Sequence, residues 1–308
     1  MAAKTPTCEE DCKQIHDSWG SLSHLASRTQ EERRQIRETY SQMYGNDLLD
    51  CLQKNEPAAS PRLCSVLSLW LLDPVELDAA LAMEALDHRQ GFVNYRTLVE
   101  IFAGRKSTHV ALLKQAYQKK FRRQLDQDIV SAEPPHPFQK ILMALGASHK
   151  AHQADFSQHV AQSDARRLYQ TGEGKPGAID GAVVLEILSK RSIPQLKLTL
   201  STYKRIYGHD YTKSLKTENH GEFEDALKVV IKCIYNPQKY YSKSLYECLK
   251  GRQRDKSGLA RVMISRAGPD MNEIKSFFKK KYGMELRDAI SESFPLGDCR
   301  DFLVALAS

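Results

Sequence analysis

The sequence predicts an all-α protein built from four similar units, and three observations carry that prediction. Four segments stack on one another: SRTQEERRQIRETYSQMYG from Ser27, GRKSTHVALLKQAYQKKFR from Gly104, KRSIPQLKLTLSTYKRIYG from Lys190 and SRAGPDMNEIKSFFKKKYG from Ser265. Twelve residues beyond Arg28, Arg105, Arg191 and Arg266 stand Tyr40, Tyr117, Tyr203 and Phe278, and four residues further Tyr44, Phe121, Tyr207 and Tyr282. The i, i+4 spacing puts each aromatic pair on one helix face, a stripe that reads as core. The second observation is Asp73-Pro74 and Asn236-Pro237, each proline 46 residues past its arginine; a capping residue followed by proline opens a helix. The third is the scarcity of alternating runs, against periodic segments rich in Leu, Lys, Glu, Gln and Arg, all good helix formers.

The arginines are 77, 86 and 75 residues apart. Such a period is too long for two-helix solenoids and implies several helices per unit. The longer middle interval falls in SHKAHQADFSQHVAQSDARR, which reads as a linker. The expected organisation is a tail over 1–8, units over 9–80 and 81–148, a linker over 149–163, and units over 164–238 and 239–308. With 308 residues, 41% of them hydrophobic, the chain can bury a substantial core. The opening MAAKTPTCEEDCKQ lacks an apolar signal core, and the stretch Val66–Leu72 is too short to cross a bilayer. A soluble, unsecreted protein is expected.

Seven scattered cysteines fit a reducing compartment better than a disulfide framework. Cys8 and Cys12 can share a helix face, but nothing completes a zinc site around them. A net charge of +7 points weakly to anionic partners. The basic runs KKFRR (119–123) and FFKKKYG (277–283) could meet acidic lipid or actin, although their recurrence on the same helix of different repeats makes a solvated helix face the better reading. His149, His152 and His159 lack metal-ligand spacing. No set of nucleophile, base and orienting group appears, so no enzyme activity is expected.

Between two helical stretches lies the glycine-rich loop YQTGEGKPGAIDG, residues 169–181. A Walker loop requires Ser or Thr after its Gly-Lys, whereas Gly174-Lys175 runs into Pro176. A dinucleotide fingerprint requires a preceding strand, whereas QSDARRLYQ is polar and helix-like.

Taken together, the arginine-led segments, LLDPVELDA, KCIYNPQKYYSKSL and the ending GDCRDFLVAL resemble the annexin family over almost the whole chain, from about Cys8 to Ser308. The short tail, Trp19-Gly20 and DPVELDA look most like plant annexins. The resemblance implies four repeats of five helices forming a slightly curved disc. It also implies calcium-dependent docking of the convex face on anionic phospholipid, with a cytoplasmic protein peripheral at membranes. In that chemistry a glycine-rich loop between the first two helices of a repeat turns its carbonyls to Ca²⁺, and a carboxylate from a later loop completes the cage. Calcium takes six to eight oxygens, so positions stay open for water or lipid phosphate.

Against the family wording, repeat 1 carries Ser18 and Ser21 around Gly20, only eight residues before Arg28. Repeat 2 keeps Gly91 in RQGFVN, and repeat 4 keeps Gly251 but places Gln253 and Arg254 beside it; an arginine there raises the Coulomb cost of a divalent cation. These three loops are expected to be impaired. Repeat 3 keeps Gly172, Glu173, Lys175 and Gly177, departing at Ala178, and Glu218 lies 27 residues past Arg191. The resemblance therefore implies a calcium site made by the carbonyls of Gly172, Lys175 and Gly177 and the carboxylate of Glu218. Glu56, Glu133 and Glu292 stand at comparable places, 28, 28 and 26 residues past their arginines, where a turn acid needs no ion to explain it. The rival reading is a calcium-independent helical scaffold that binds actin or anionic surfaces by charge. No nucleic acid partner is expected.

Overall fold

The computed structural model describes residues 7–17, 22–54, 61–87, 92–147, 156–174, 179–215, 221–251, 255–268 and 270–308. Among them the chain forms helices alone, in four successive sets of five. The first set is α1 (Cys8–Asp17), a 3₁₀ helix (Leu22–Ser27), α2 (Gln30–Tyr44), α3 (Leu48–Lys54) and α4 (Pro61–Trp70). The second is α5 (Pro74–Leu86), α6 (Tyr95–Gly104), α7 (Ser107–Phe121), α8 (Leu125–Val130) and α9 (Pro137–Leu145). The third is α10 (Gln158–Gln170), α11 (Gly181–Lys190), α12 (Ile193–Tyr207), α13 (Tyr211–Ser214) and α14 (Glu222–Tyr235). The fourth is α15 (Pro237–Lys250), α16 (Lys256–Arg266), α17 (Met271–Tyr282), α18 (Leu286–Ser293) and α19 (Asp298–Ala307). Two compact units emerge, one of Met1–Leu77 with Gln238–Ser308 and one of Asp78–Pro237.

The four stacked segments are the third helices α2, α7, α12 and α17. Tyr40, Tyr117, Tyr203 and Phe278 are each buried to within 1% of full enclosure, as the aromatic stripe predicts. Their partners four residues on are only half-buried, and three of them stack on a ring of the first helix. Tyr44 stacks on His16, Tyr207 on Tyr169 and Tyr282 on Tyr246, at centroid distances of 3.9, 4.1 and 3.9 Å.

Each leading arginine closes an ion pair. Arg105 makes a two-pronged bond to Asp78 on α5, at 2.7 and 3.1 Å, and Arg191 makes the same bond to Asp164 on α10. In repeat 1, Arg28 reaches Asp11 on α1 at 2.8 Å. In repeat 4 the place held by Asp78 and Asp164 belongs to Lys239, so Arg266 turns to Asp270 at 2.7 Å and lies over the Tyr241 ring. Asp11, Asp78 and Asp164 are at most 1% exposed; a buried carboxylate is tolerated only with such a partner.

Helix ends follow capping chemistry. Thr29 and Glu32 form a reciprocal capping box at the start of α2. Gly45, Gly208 and Gly283 close α2, α12 and α17 at φ of +71°, +79° and +71°, where a Cβ would be strained.

Three expected borders move. Those at 80/81 and 238/239 fall inside α5 and α15, because Pro74 and Pro237 start those helices. The linker over 149–163 is shortened at its far end: Ser157 accepts from the Val160 N–H, and 158–163 are already α10, which buries Ala161. Its polarity had hidden a helix with one narrow apolar stripe. The tail residues 1–6, His149 and His152 lie outside the described residues.

Candidate metal centre

The loop of repeat 3 grows from the end of α10. Thr171 N–H donates to the Arg167 carbonyl, and the Gly172 and Gly174 N–H groups both turn back to the Tyr169 carbonyl, at 3.2 and 2.8 Å. The Asp180 N–H donates to the Thr171 carbonyl at 2.9 Å and closes the loop at its base. The Asp180 carboxylate then accepts from the Ala182 and Val183 N–H groups and starts α11. A Cβ on Gly174 would lie 2.8 Å from the Tyr169 ring, and one on Gly172 3.0 Å from the Leu168 carbonyl oxygen. The chain can curl this tightly over the Tyr169–Tyr207 stack only where side chains are missing.

Glu173, between these glycines, is held from below. Its Oε2 accepts from the Tyr203 hydroxyl at 3.0 Å, and its Oε1 lies 3.2 Å from His209 Nε2. Burial pushes the Tyr203 phenol well above its ordinary range, and the Glu173 carboxylate adds to that against an opposing Ser214 bond; the phenol therefore stays a donor at neutral pH. Glu173 thus acts as an anchor, which leaves backbone carbonyls as the loop's means of meeting a cation. Among the described residues no three His, Cys, Asp or Glu side chains gather to hold a metal, and a carbonyl cage of the calcium type does not call for such a group. Of the four expected ligands, Gly172 is placed in this turn. Lys175, Gly177 and Glu218 lie outside the described residues.

The other loops differ locally. In repeat 1 the second helix has shrunk to the six-residue 3₁₀ segment, in step with the short interval between Gly20 and Arg28; Ser18, Gly20, Ser21 and Glu56 lie outside the described residues. In repeat 2, Gly91 is likewise outside, Phe92 is 64% exposed, and Asn94 caps α6 through the Thr97 N–H. Burial and then the Glu133 charge raise the Tyr95 phenol. In repeat 4, Gly251 donates its N–H to the Glu247 carbonyl, while Gln253 and Arg254 are outside. There the Lys250 ammonium, just before the loop, lies 2.9 Å from Glu292. A fixed cation already sits against the acid that the sequence pairs with that loop. Lys250, His209 and Tyr203 were not marked as loop partners from the chain alone; only the recurrence of Tyr203 in the stripe gave any signal.

The annexin family model matches residues 163–230 and 240–306. Annexin A1 of Mus musculus is 34% identical over 285 residues, 92% of this chain and 79% of that protein. The chain belongs to the annexin family. A solved structure of annexin III superposes on this annexin with a TM-score of 0.87 at 29% identity, covering 100% of this chain and 95% of the other. Calcium-bound annexin (Sm)1, at 21% identity and a TM-score of 0.81 over 100% and 92% of the two chains, shares the fold. Annexins are in general calcium-dependent phospholipid-binding proteins. No helix of the described residues is long and apolar enough to cross a membrane.

Proposed function

We propose that this annexin docks on anionic phospholipid through calcium held mainly by repeat 3. The carbonyls of Gly172, Lys175 and Gly177 and the carboxylate of Glu218 are the proposed ligands. The observation that carries the reading is the glycine turn at 172–174, folded back on Tyr169 and pinned through Glu173 to Tyr203 and His209. Anchoring Glu173 to Tyr203 and His209 fixes the backbone in advance, which lowers the ordering cost of binding an ion. Calcium bound there would bridge loop oxygens to a lipid phosphate. The calcium-bound state of a fold neighbour supports a cation in this architecture. Repeats 1, 2 and 4 contribute less, and in repeat 4 the Lys250–Glu292 pair supports that view. The mammalian relative gives no support to a plant subgroup, and cytoplasmic location and actin binding rest on the resemblance alone.

The test is calorimetric titration of calcium in the presence of short-chain phosphatidylserine. Glu218→Gln should weaken the dominant site at least about tenfold, since calcium affinity follows ligand charge. Glu56→Gln, Glu133→Gln and Glu292→Gln should each leave it nearly unchanged. Equal titrations for Glu218→Gln and the parent chain would move the site elsewhere.

A further inference from the structure

The third helix of repeat 2 ends differently from its three counterparts. Where α2, α12 and α17 close on glycine, α7 closes on Arg122 at φ 58° and ψ 27°, in the left-handed region that a Cβ disfavours. An arginine is kept where glycine would be easier. It stands in the run Lys119-Lys120-Phe121-Arg122-Arg123. Arg123 pairs with Asp128 at 2.9 Å, but Lys119, Lys120 and Arg122 make no ion pair among the described residues. The comparable run in repeat 4 closes on Gly283 and has Lys279 paired with Glu285 at 2.5 Å. Lys280 and Lys281 of that run likewise make no ion pair among the described residues, so what sets repeat 2 apart is Arg122 in the place of the glycine.

Two exposed apolar side chains accompany it. Leu112 stands seven residues before Lys119, two turns up the same helix face, and is 52% exposed; Val130, the last residue of α8, is 60% exposed. The Arg123–Asp128 pair ties α8 to the end of α7. An acidic protein filament would engage the cations and leave both apolar side chains without a role. A bilayer surface uses both, with cations at the headgroup phosphates and apolar groups at the acyl boundary.

We propose that the α7–α8 corner, formed by Lys119, Lys120, Arg122, Leu112 and Val130, is a contact for anionic lipid that operates without calcium. None of its residues belongs to the repeat 3 loop, so it is read in chelator, where failure of the calcium reading has no influence.

The experiment is cosedimentation at low salt, in chelator, with vesicles of phosphatidylserine and phosphatidylcholine in equal parts and with phosphatidylcholine alone. The parent chain should pellet with the former only. The variant Lys119→Gln/Lys120→Gln/Arg122→Gly should lose about a hundredfold in partition, each cation contributing about fivefold, and Leu112→Ser/Val130→Ser should lose part of it. Lys280→Gln/Lys281→Gln should partition as the parent does. Arg122→Gly alone should bind less while melting higher, which separates lost contact from lost fold. The proposal is overturned if the parent does not pellet in chelator, if the triple variant pellets normally, or if the repeat 4 variant loses as much. It is also overturned if the triple variant loses cosedimentation with actin filaments but keeps the vesicles.

Discussion

Asp78 illustrates what a single side chain holds together. Burial alone would raise its carboxyl, yet bonds from His109 and Arg105 outweigh that and keep it below the ordinary carboxylate range. A depressed folded value means that the stabilisation is complete above the unfolded value of about 3.9 and is lost as pH falls through the folded value. Asp78→Asn should therefore cost about 3 kcal/mol at neutral pH in urea denaturation, and its deficit relative to the parent should shrink below about pH 4. Arg122 gives the opposite sign. Replacing it by glycine relieves about 1 kcal/mol of left-handed strain and should raise Tm by about 2 °C in a thermal scan. The leading arginines were visible in the chain because they recur, but the acids they bind were not. Asp78 and Asp164 stand 27 residues before their arginines; Asp11 stands 17 before Arg28 because repeat 1 has lost most of its second helix, and repeat 4 has no acid there. A fixed-interval search loses such a partner as soon as one repeat shortens.

At the level of elements, the third helices were the most legible, since their inner aromatics must fill the same cavity four times. The first helices were less so: α10 exposes polar residues around a narrow buried stripe, and its first part, 158–163, passed for a linker. The repeat 3 loop was readable as a glycine pattern, but its support was not, because His209 and Glu173 are 36 residues apart and meet only in the fold. Gly174→Ala should press a Cβ into the Tyr169 ring; calcium-stimulated vesicle binding should fall several-fold while the melting point changes little, since the strain is confined to an exposed loop. Lys250→Met tests the opposite loop. An exposed pair contributes about 0–1 kcal/mol, so the variant should keep its stability, and its calcium titration should still be set by repeat 3.

Across the whole molecule, four copies of one helical plan build their core from helix residues outside the loops. Each repeat keeps its buried aromatic and its paired arginine whether or not its loop retains glycine. Stability thus rests on residues other than the proposed calcium ligands, and under the proposed function calcium sensitivity can differ between repeats without unfolding the chain. The central claim is that repeat 3 supplies most of what remains. Its most direct test is cosedimentation with phosphatidylserine vesicles at moderate salt, where unpaired surface charge is largely screened, comparing the parent chain with Glu218→Gln in calcium and in chelator. Pelleting that requires calcium and weakens in Glu218→Gln is the predicted result; equal pelleting with and without calcium, collapsing as salt rises, would contradict it.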